Sequence, residues 1–519
     1  MTNRHAAHFR ADVFLLIAAE LLLSMVYLKS VPRFYGDETW EASIGYNIAR
    51  EGAVRHGTIE GWGGMHIHFL QNQIIQPLMC GLSFLIFGYG VVPARLPSVL
   101  MAVISVCAVY AIMRELFSRR AALLAGGILI LNLWFFVIAR RVRPEIFALA
   151  FGVLFLLAII KSRKGGWRWP VFAGIFCGLA ALSHPNGLIL SACIFISAMI
   201  WRRPAKPVRV TFIIAAAFVA TILPYAIYVI MASRNPEVSF AAQMSGGKLR
   251  EAWSLAYLLK SELGRWIGYF QLPKGLPLAI LFIGSLLAAF IRSTSADKFF
   301  AAIVLLFALF LPIATVNTAA VYLSLLSPIF AMLLTRLVQR LWQTTDAASV
   351  KQCCKNWRTW LAGGLAGVYI LFCCAGLYVL LRFNKSDVDV LTNRIAAVTG
   401  PTAKVYGNIL LQIGADKFNY GYFPLDENWD MTIEDIRSRK YEYVVRLCDN
   451  FQTSHGVSPM PEKMPSWRPE RAIDVICQNF GTRVDAFVTP GYGAAEIYRI
   501  DWNKPIANDR AFMTQKRKP

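Results

Sequence analysis

Two adjacent carboxylates, Asp37 and Glu38, directly follow the first long apolar segment of the chain. They lie in the run FYGDETWE, which covers residues 34–41. A carboxylate in such a position can act as a general base or as a metal ligand. The same run also suits the start of a helix, with Asp37 as the cap and Glu38 and Glu41 interacting favourably with the helix dipole. The sequence leaves both interpretations open.

Three arginines stand close together in the run RRVRPE, between two later apolar segments. The planar fork of a guanidinium group binds phosphate well. We therefore predict that Arg140, Arg141 and Arg143 bind a phosphate. The proline and glutamate that end the run also suit the first turn of a helix, but that interpretation does not account for three arginines.

Three other groups of polar residues are weaker candidates. Arg95, at the start of an apolar segment, is a further predicted phosphate contact. The alternative is that its long side chain only places its charge at the membrane–water interface. The run SHPNG brings His184 and Asn186 to the same side, as possible substrate contacts or as parts of a plain turn. His66 and His68 form an HxH pattern, which is a weak candidate for a metal site.

The composition excludes most soluble proteins. The chain has 519 residues, of which 56% are hydrophobic and only 16% are charged, whereas soluble domains carry about 25% charged residues. In a soluble protein, the net charge of +22 would suggest a nucleic-acid partner. Here the basic residues lie between apolar runs of about 20 residues, which is typical of membrane topology signals, so we expect no nucleic-acid partner.

Eleven apolar segments have roughly the 20 residues that a helix needs to cross a bilayer. The predicted fold is therefore a polytopic α-helical membrane protein. The predicted spans are residues 12–31, 95–114, 121–139, 145–160, 169–183, 187–201, 210–231, 276–291, 299–316, 318–336 and 360–381. Basic clusters then fall on alternate loops, which places those loops and the N-terminus in the cytoplasm. Residues 70–92 would invert this pattern if they crossed, so we predict that they lie on the membrane or dip into it.

The predicted spans divide the chain into two predicted domains. Residues 1–381 form a transmembrane domain, whose first external loop covers residues 32–94. Residues 382–519 are polar and are predicted to form a small α/β domain outside the cytoplasm, with a hairpin around the turn PGYG. The only cysteines of this domain, Cys448 and Cys477, could pair in an oxidising compartment.

The order and spacing of these motifs resemble those of the GT-C membrane glycosyltransferases. The shared features are the acidic pair after the first helix, the long first external loop, the run ARLPS at residues 94–98 and the run RRVRPE. The similar families are the family 39 dolichyl-phosphate-mannose–protein mannosyltransferases and the bacterial enzymes that transfer aminoarabinose or galacturonate to lipid A. The resemblance covers about residues 10–230 and is specific for the superfamily but not for a substrate.

The resemblance implies an inverting glycosyltransferase. Such an enzyme moves a sugar from a polyprenyl-phosphate carrier to an acceptor hydroxyl at the external membrane face. By the resemblance, Asp37 is the catalytic acidic position, Glu38 is its partner and Glu145 is a second acidic position. We expect the partners to be the lipid-linked donor, membrane lipids and a lipid, glycan or protein acceptor.

The chain departs from the aminoarabinose transferases at two places. Trp40 stands where those enzymes carry an arginine, and Gln76-Pro77 is the nearest likeness to their later Lys-Pro. The donor sugar and the acceptor therefore stay open, with lipopolysaccharide, protein glycosylation and other cell-envelope glycans as candidates. Trp40 is a possible substrate contact. The sequence requires no cofactor, and it leaves a divalent metal open.

Two other functions also stay open. A flippase or transporter of lipid-linked sugars would need a polar path across the bilayer, and Glu20 is the main charge within a predicted span. An envelope assembly factor would act through the external domain and would not need Asp37 or Glu38. The enzyme accounts best for the external clustering of acids and arginines. We expect it in a bacterial inner membrane, with the C-terminal domain in the periplasm.

Overall fold

The computed structural model describes most of the chain. It leaves out residues 1, 58, 72, 202–205, 246–254, 272–274, 292, 315–318, 344–356, 384, 408, 422, 426–436, 448–467, 490–491 and 505–519.

The described residues are mostly helical. The helices are α1 (Thr2–Met25), α2 (Gly36–Glu51), α3 (Ile75–Phe87), α4 (Val91–Leu116), α5 (Arg119–Leu131), α6 (Leu133–Ala139), α7 (Pro144–Ser162), α8 (Arg168–Ser183), α9 (Pro185–Trp201), α10 (Pro207–Ala232), α11 (Phe240–Ser245), α12 (Leu255–Phe270), α13 (Leu276–Ala288), α14 (Ser295–Ala314), α15 (Ser327–Gln343), α16 (Trp357–Phe383), α17 (Val388–Thr399) and α18 (Arg468–Phe480). A 3-10 segment, Ala320–Leu326, leads into α15.

Each of the eleven predicted spans overlaps one or two of these helices, and the chain is a multi-pass membrane protein. Six described helical stretches are long and apolar enough to cross a membrane, and the pair α5 and α6, bent by 68°, makes a possible seventh. Helices α8, α9 and α13 are apolar but shorter. The structure thus confirms the polytopic helical fold, while the full count of eleven crossings stays a prediction.

Helix α7 lies at the centre of the bundle and packs against α4, α8 and α9. Its apolar window is 78% buried, whereas that of α10 is only 6% buried. Both helices are apolar on all sides, and such a helix is stable only in a protein core or in lipid. We therefore infer that α7 organises the protein interior and that α10 faces lipid.

Two of the loops that carry basic clusters, those after α4 and α7, lie at one end of the bundle. Lys164, after α7, pairs with Glu115 at the end of α4. Arg119, at the start of α5, donates to Asp12 of α1 at 2.7 Å. Asp37 and the first long loop lie at the other end of α1. These two basic loops therefore lie on one side of the bundle, and the sidedness of the other loops and the orientation in the membrane stay predictions.

Helix α3, within the apolar segment 70–92, lies against α2. With 13 residues, it is about 20 Å long, which is shorter than a core of about 30 Å; helix α13 has the same length, so the prediction that this segment does not cross stays a prediction. Glycine allows the close approach of the two helices, because a Cβ atom at Gly45 would lie 2.7 Å from the Cβ of Cys80. A Cβ atom at Gly81 would likewise lie 2.8 Å from a methyl group of Ile48. This length fits the predicted segment that does not cross.

The region after α16 contains a five-stranded mixed sheet, as the predicted α/β domain requires. The five strands of this sheet are β2 (Lys404–Gly407), β3 (Asn419–Tyr420), β5 (Tyr443–Leu447), β6 (Gly481–Thr489) and β7 (Gly493–Ile500). Two further strands, β1 (Ile59–Gly61) and β4 (Phe423–Leu425), lie outside it. The sheet has the order β3-β2-β5-β7-β6, and β6 and β7 form the predicted antiparallel hairpin. The separate parallel pair of β1 and β4 joins the first loop to this domain.

The predicted disulfide lies partly outside the described residues. Cys477 is a buried cysteine on α18, and its predicted partner Cys448 is not described. The pairing therefore stays a prediction.

Candidate functional site

The acidic pair, the arginine run and the turn between α8 and α9 converge at one end of the bundle. Asp37 and Glu38 lie in the first turn of α2, and Glu145 lies in the first turn of α7. Arg140 to Arg143 form the connection from α6 to α7. Carboxylates suit these positions because the first turn of a helix carries unpaired N–H groups and a partial positive charge.

Arg143 joins two carboxylates and a phenol. Its Nη1 donates to the Oδ2 of Asp37 and, at 2.8 Å, to the hydroxyl of Tyr35. Its Nε donates to the Oε2 of Glu145 at 2.9 Å, and its Nη2 donates to the Oε1. Burial by itself would lower the pKa of Arg143, but the carboxylates of Glu145 and Asp37 hold it well above its ordinary value. Arg143 is therefore a permanent cation between the two acids.

Exposure separates the two acids that Arg143 joins. The Asp37 side chain is 62% exposed, whereas the Glu145 side chain is fully buried. Asp37 can thus meet a substrate from outside while Arg143 fixes one of its oxygens. Glu145 lies behind Arg143 and orients it.

Glu38 and Arg95 form a fully buried ion pair. The Nε of Arg95 donates to one carboxylate oxygen at 2.9 Å, and its Nη2 donates to the other at 2.7 Å. The backbone N–H of Val142 donates to Glu38 at 3.0 Å. The pair therefore joins α2, α4 and the arginine run. The two residues of the acidic pair thus differ completely in environment.

The structure gives Arg95 and Arg140 a different role from the predicted phosphate contact. Arg95 also donates to the carbonyls of Leu28 and Pro32, at 2.8 and 2.9 Å. Arg140 donates to carbonyls at and beyond the end of α1, including that of Leu23 at 2.7 Å. Both side chains are fully buried. Because their donors face the chain, these two arginines fix the backbone and do not meet a phosphate at the surface.

Arg141 differs from its two neighbours. Its guanidinium lies over the ring of Tyr35, with 4.6 Å between the guanidinium carbon and the ring centroid. Within the described part of the chain, this side chain makes no hydrogen bond, and its Nε is a buried atom without a partner. Of the four arginines predicted from the sequence, Arg141 therefore keeps its donors available for a phosphate.

The turn between α8 and α9 places two more polar groups behind Glu145. The N–H of Asn186 donates to the Nδ1 of His184 at 3.1 Å, and burial lowers the pKa of His184 to about 4. The imidazole is therefore neutral, and its ring lies 5.2 Å from that of Tyr322. The Nδ2 of Asn186 is buried without a partner among the described residues.

Trp40 and the two histidines of the first loop contact other groups. Trp40 packs edge-on against His56, with 4.3 Å between the ring centroids. His68 contacts the hydroxyl of Tyr228 at 3.4 Å. In the part of the chain that the structure describes, no three His, Cys, Asp or Glu side chains come together as a metal site. His66 and His68 thus find no third ligand there.

Glu41 is a titratable residue of the site that we did not select from the sequence. It lies one turn after Asp37 on the same face of α2, and its Oε2 is buried without a partner among the described residues. Burial raises the pKa of Glu41 to about 8; nearby Glu145 and Asp37 also raise it, and Arg143 opposes them. The four-residue spacing from Asp37 is the signal that identifies it.

Comparisons with known proteins agree with this architecture. A sequence-family model described as dolichyl-phosphate-mannose-protein mannosyltransferase matches residues 74–228. No curated protein matches the chain. The apo crystal structure of ArnT from Cupriavidus metallidurans is similar with a TM-score of 0.63 and 15% identity, over 93% of this chain and 97% of that one.

Two further structures contain a lipid phosphate. ArnT from Cupriavidus metallidurans bound to undecaprenyl phosphate has a TM-score of 0.62 and 15% identity, over 95% of this chain and 99% of that one. The other is the archaeal oligosaccharyltransferase AglB from Archaeoglobus fulgidus, in complex with an inhibitory peptide and a dolichol-phosphate. It has a TM-score of 0.51 and 15% identity, over 96% of this chain and 75% of that one. The chain therefore has the fold of the GT-C glycosyltransferases.

Removing one partner of the buried pair should destabilise the protein strongly. We expect Arg95→Met to lower the free energy of unfolding by about 3–5 kcal/mol, because Glu38 would stay buried without its cation. Denaturation in mixed detergent micelles measures this change. Arg394→Met is the matched control, since Arg394 also makes a two-point contact with a carboxylate, that of Asp485, but its side chain is 55% exposed. We expect about 0–1 kcal/mol for the control. Equal losses would contradict the structural role of the buried pair.

Stability should depend on pH through Glu41. Its pKa is about 8 in the folded protein against an ordinary value of 4.5. Between these values the unfolded chain releases a proton that the folded chain keeps, so the free energy of unfolding falls as the pH rises. Glu41→Gln removes this dependence, and the stability of the variant relative to wild type should increase from pH 5 to pH 8. Thermal midpoints in nanodiscs measure the difference. Glu51→Gln, at the exposed end of the same helix, should show no such increase; an equal increase there would reject the assignment.

Proposed function

We propose that the protein transfers a sugar from a polyprenyl-phosphate carrier to an acceptor hydroxyl at the external membrane face. The observation that carries this proposal is the exposed Asp37 carboxylate bound to Arg143, with the guanidinium of Arg141 over the ring of nearby Tyr35. A base and a phosphate-binding cation at one membrane-proximal site are what such a transfer needs.

The similar proteins support a lipid-linked donor. One ArnT structure holds undecaprenyl phosphate, and one AglB structure holds a dolichol-phosphate together with a peptide. The matching family model carries the name of an enzyme that uses dolichyl-phosphate-mannose. The sugar, hexose or pentose, and the acceptor, whether a lipid, a glycan or a protein hydroxyl, are left open.

The reaction is an inverting displacement at the anomeric carbon. The acceptor oxygen attacks this carbon as the bond to the phosphate oxygen breaks, and the polyprenyl phosphate leaves with the bonding electron pair. The Asp37 carboxylate accepts the proton of the acceptor hydroxyl. Because Arg143 engages one oxygen of Asp37, the other oxygen is the one that faces the acceptor.

Two arginines stabilise the leaving phosphate. Fixed cations lower the barrier when they face a group on which negative charge develops. Arg141 supplies the free donors of its guanidinium, and Arg143 supplies a cation that Glu145 holds in place. Glu38, Arg95 and Arg140 act indirectly, because they fix the backbone that carries these groups.

The proposed organisation follows the charge pattern of the loops. Residues 1–381 are the transmembrane catalytic domain, and residues 382–519 are the domain outside the cytoplasm. The N-terminus lies in the cytoplasm. We place the protein in a bacterial inner membrane, with His184 and Asn186 as possible substrate contacts behind the acids. Trp40 is a further proposed contact with the substrate.

Asp37→Asn should abolish most of the transfer. The substitution keeps the shape of the side chain but removes the base, so we expect kcat to fall by at least about 100-fold. The assay presents a panel of polyprenyl-phosphate sugars and acceptors to the protein in nanodiscs and follows the release of polyprenyl phosphate. Glu51→Gln makes the same chemical change at the far end of α2 and should keep full activity.

The outcomes of this assay separate the possible functions. Equal rates for wild type and Asp37→Asn would show that Asp37 only stabilises the first turn of α2. If the wild type binds a donor but only moves it across the bilayer, the result favours a transporter over a glycosyltransferase. If it binds no donor of the panel, the envelope assembly factor is favoured.

Arg141→Gln should weaken the binding of the carrier phosphate. Losing one charge-assisted contact should raise the dissociation constant of polyprenyl phosphate by about tenfold or more. Arg50→Gln is the matched control, because Arg50 also lies over a tyrosine ring, that of Tyr46, but at the far end of α2. The affinity of each variant for polyprenyl phosphate is measured with the protein in nanodiscs. An unchanged affinity for Arg141→Gln would remove this residue from the proposed site.

A further inference from the structure

The segment between α1 and α2 carries the chain directly into Asp37. The bundle holds the first half of this segment, because Arg95 donates to the carbonyl of Pro32 at 2.9 Å. Arg140 donates to the carbonyl of Val31 at 3.0 Å. The position of Asp37 therefore depends on what holds the second half, which begins at Phe34.

The C-terminal domain holds Phe34 by both of its backbone polar groups. The hydroxyl of Tyr492 donates to the carbonyl of Phe34 at 2.9 Å. The N–H of Phe34 donates to the Oγ of Ser386 at 3.3 Å. The Tyr492 hydroxyl and the Ser386 hydroxyl lie 3.1 Å apart. These three residues form one network, which we call the Phe34 anchor.

The Phe34 anchor is buried and is continuous with the Glu38–Arg95 pair. Phe34 is fully buried and Tyr492 is 1% exposed. The guanidinium carbon of Arg95 lies 5.4 Å from the centroid of the Phe34 ring. In such an environment a backbone carbonyl that loses its partner is costly. The anchor therefore fixes the chain three residues before Asp37.

Other contacts bring the domain to the same segment. The N–H of Ser386 donates to the carbonyl of Ser30 at 3.0 Å. Lys29 pairs with Asp389 at 2.7 Å. These contacts seat the domain, but only Tyr492 and Ser386 bind the backbone of Phe34 among the hydrogen bonds of the described residues.

We propose that Tyr492 is a positioning residue of the transfer site: its hydroxyl fixes the segment that presents Asp37, which makes the C-terminal domain a working part of the catalytic unit. This inference rests on the proposed function. In the proposed function the donor phosphate meets Arg141 and Arg143, whose backbone belongs to the connection from α6 to α7, and the anchored segment contacts these arginines through the side chains of Tyr35 and Asp37. Loss of the anchor should therefore lower kcat and leave donor binding almost unchanged.

The test compares Tyr492→Phe with Tyr498→Phe in nanodiscs. Tyr498 lies in the same hairpin, and its hydroxyl also makes a hydrogen bond, to Glu496 at 2.8 Å, but it is remote from Phe34. We expect Tyr492→Phe to lower kcat about tenfold, since one buried hydrogen bond is worth about that factor, with KM for the donor within about twofold. Tyr498→Phe should match wild type. Ser386→Ala should act like Tyr492→Phe, and the double variant should lose less than the product of the two effects.

Hydrogen–deuterium exchange gives a readout that needs no transfer activity. Peptides that cover residues 33–39 should exchange faster in Tyr492→Phe and stay unchanged in Tyr498→Phe. Unchanged exchange and kcat in Tyr492→Phe would overturn the proposal. Faster exchange with an unchanged kcat would overturn its catalytic part. If wild type transfers no sugar, the proposed function fails and so does the catalytic role of Tyr492, while the exchange result still decides whether Tyr492 fixes the segment.

Discussion

The rest of the site depends on the buried pair of Glu38 and Arg95. Two charges removed from water are tolerated only when each is matched by a partner and by further hydrogen bonds. Here the carboxylate receives two bonds from Arg95 and one from Val142, and the guanidinium also binds two carbonyls after α1. Meeting these demands forces α1, α2, α4 and the arginine run into a single arrangement.

That arrangement assigns opposite duties to neighbouring residues. Asp37 and Glu38 are adjacent, yet the Asp37 side chain is exposed and the Glu38 side chain is fully buried. Arg140 binds the end of α1, Arg141 lies on Tyr35 with free donors, and Arg143 joins the acids. The groups of the site that can meet a ligand are thus Asp37, Arg141 and Arg143. The other charged residues of the site hold these groups in place.

The sequence predicted the positions of the helices better than the roles of the individual charged residues. The apolar segments gave the helices because a bilayer-spanning helix has few alternatives to a long apolar run. The role of Arg140 could not be predicted, since its partners are backbone carbonyls, which every residue has. The role of Arg95 could not be predicted either, since its carboxylate partner Glu38 is 57 positions away along the chain. Glu41 could have been found from its spacing to Asp37, but its burial depends on α3. The pairing of β1 with β4 joins segments more than 360 residues apart, and no local pattern predicts it.

The distance along the chain between Phe34 and Tyr492 has a consequence for biosynthesis. The two residues are 458 positions apart. At about 5–20 residues per second, the ribosome completes Tyr492 roughly 25–90 s after Phe34. During that interval the bundle can insert into the membrane, but the segment before Asp37 lacks its last support. A chain that stops before the hairpin of β6 and β7 would therefore leave in the membrane a bundle that holds the acids and arginines without the anchor that aligns them.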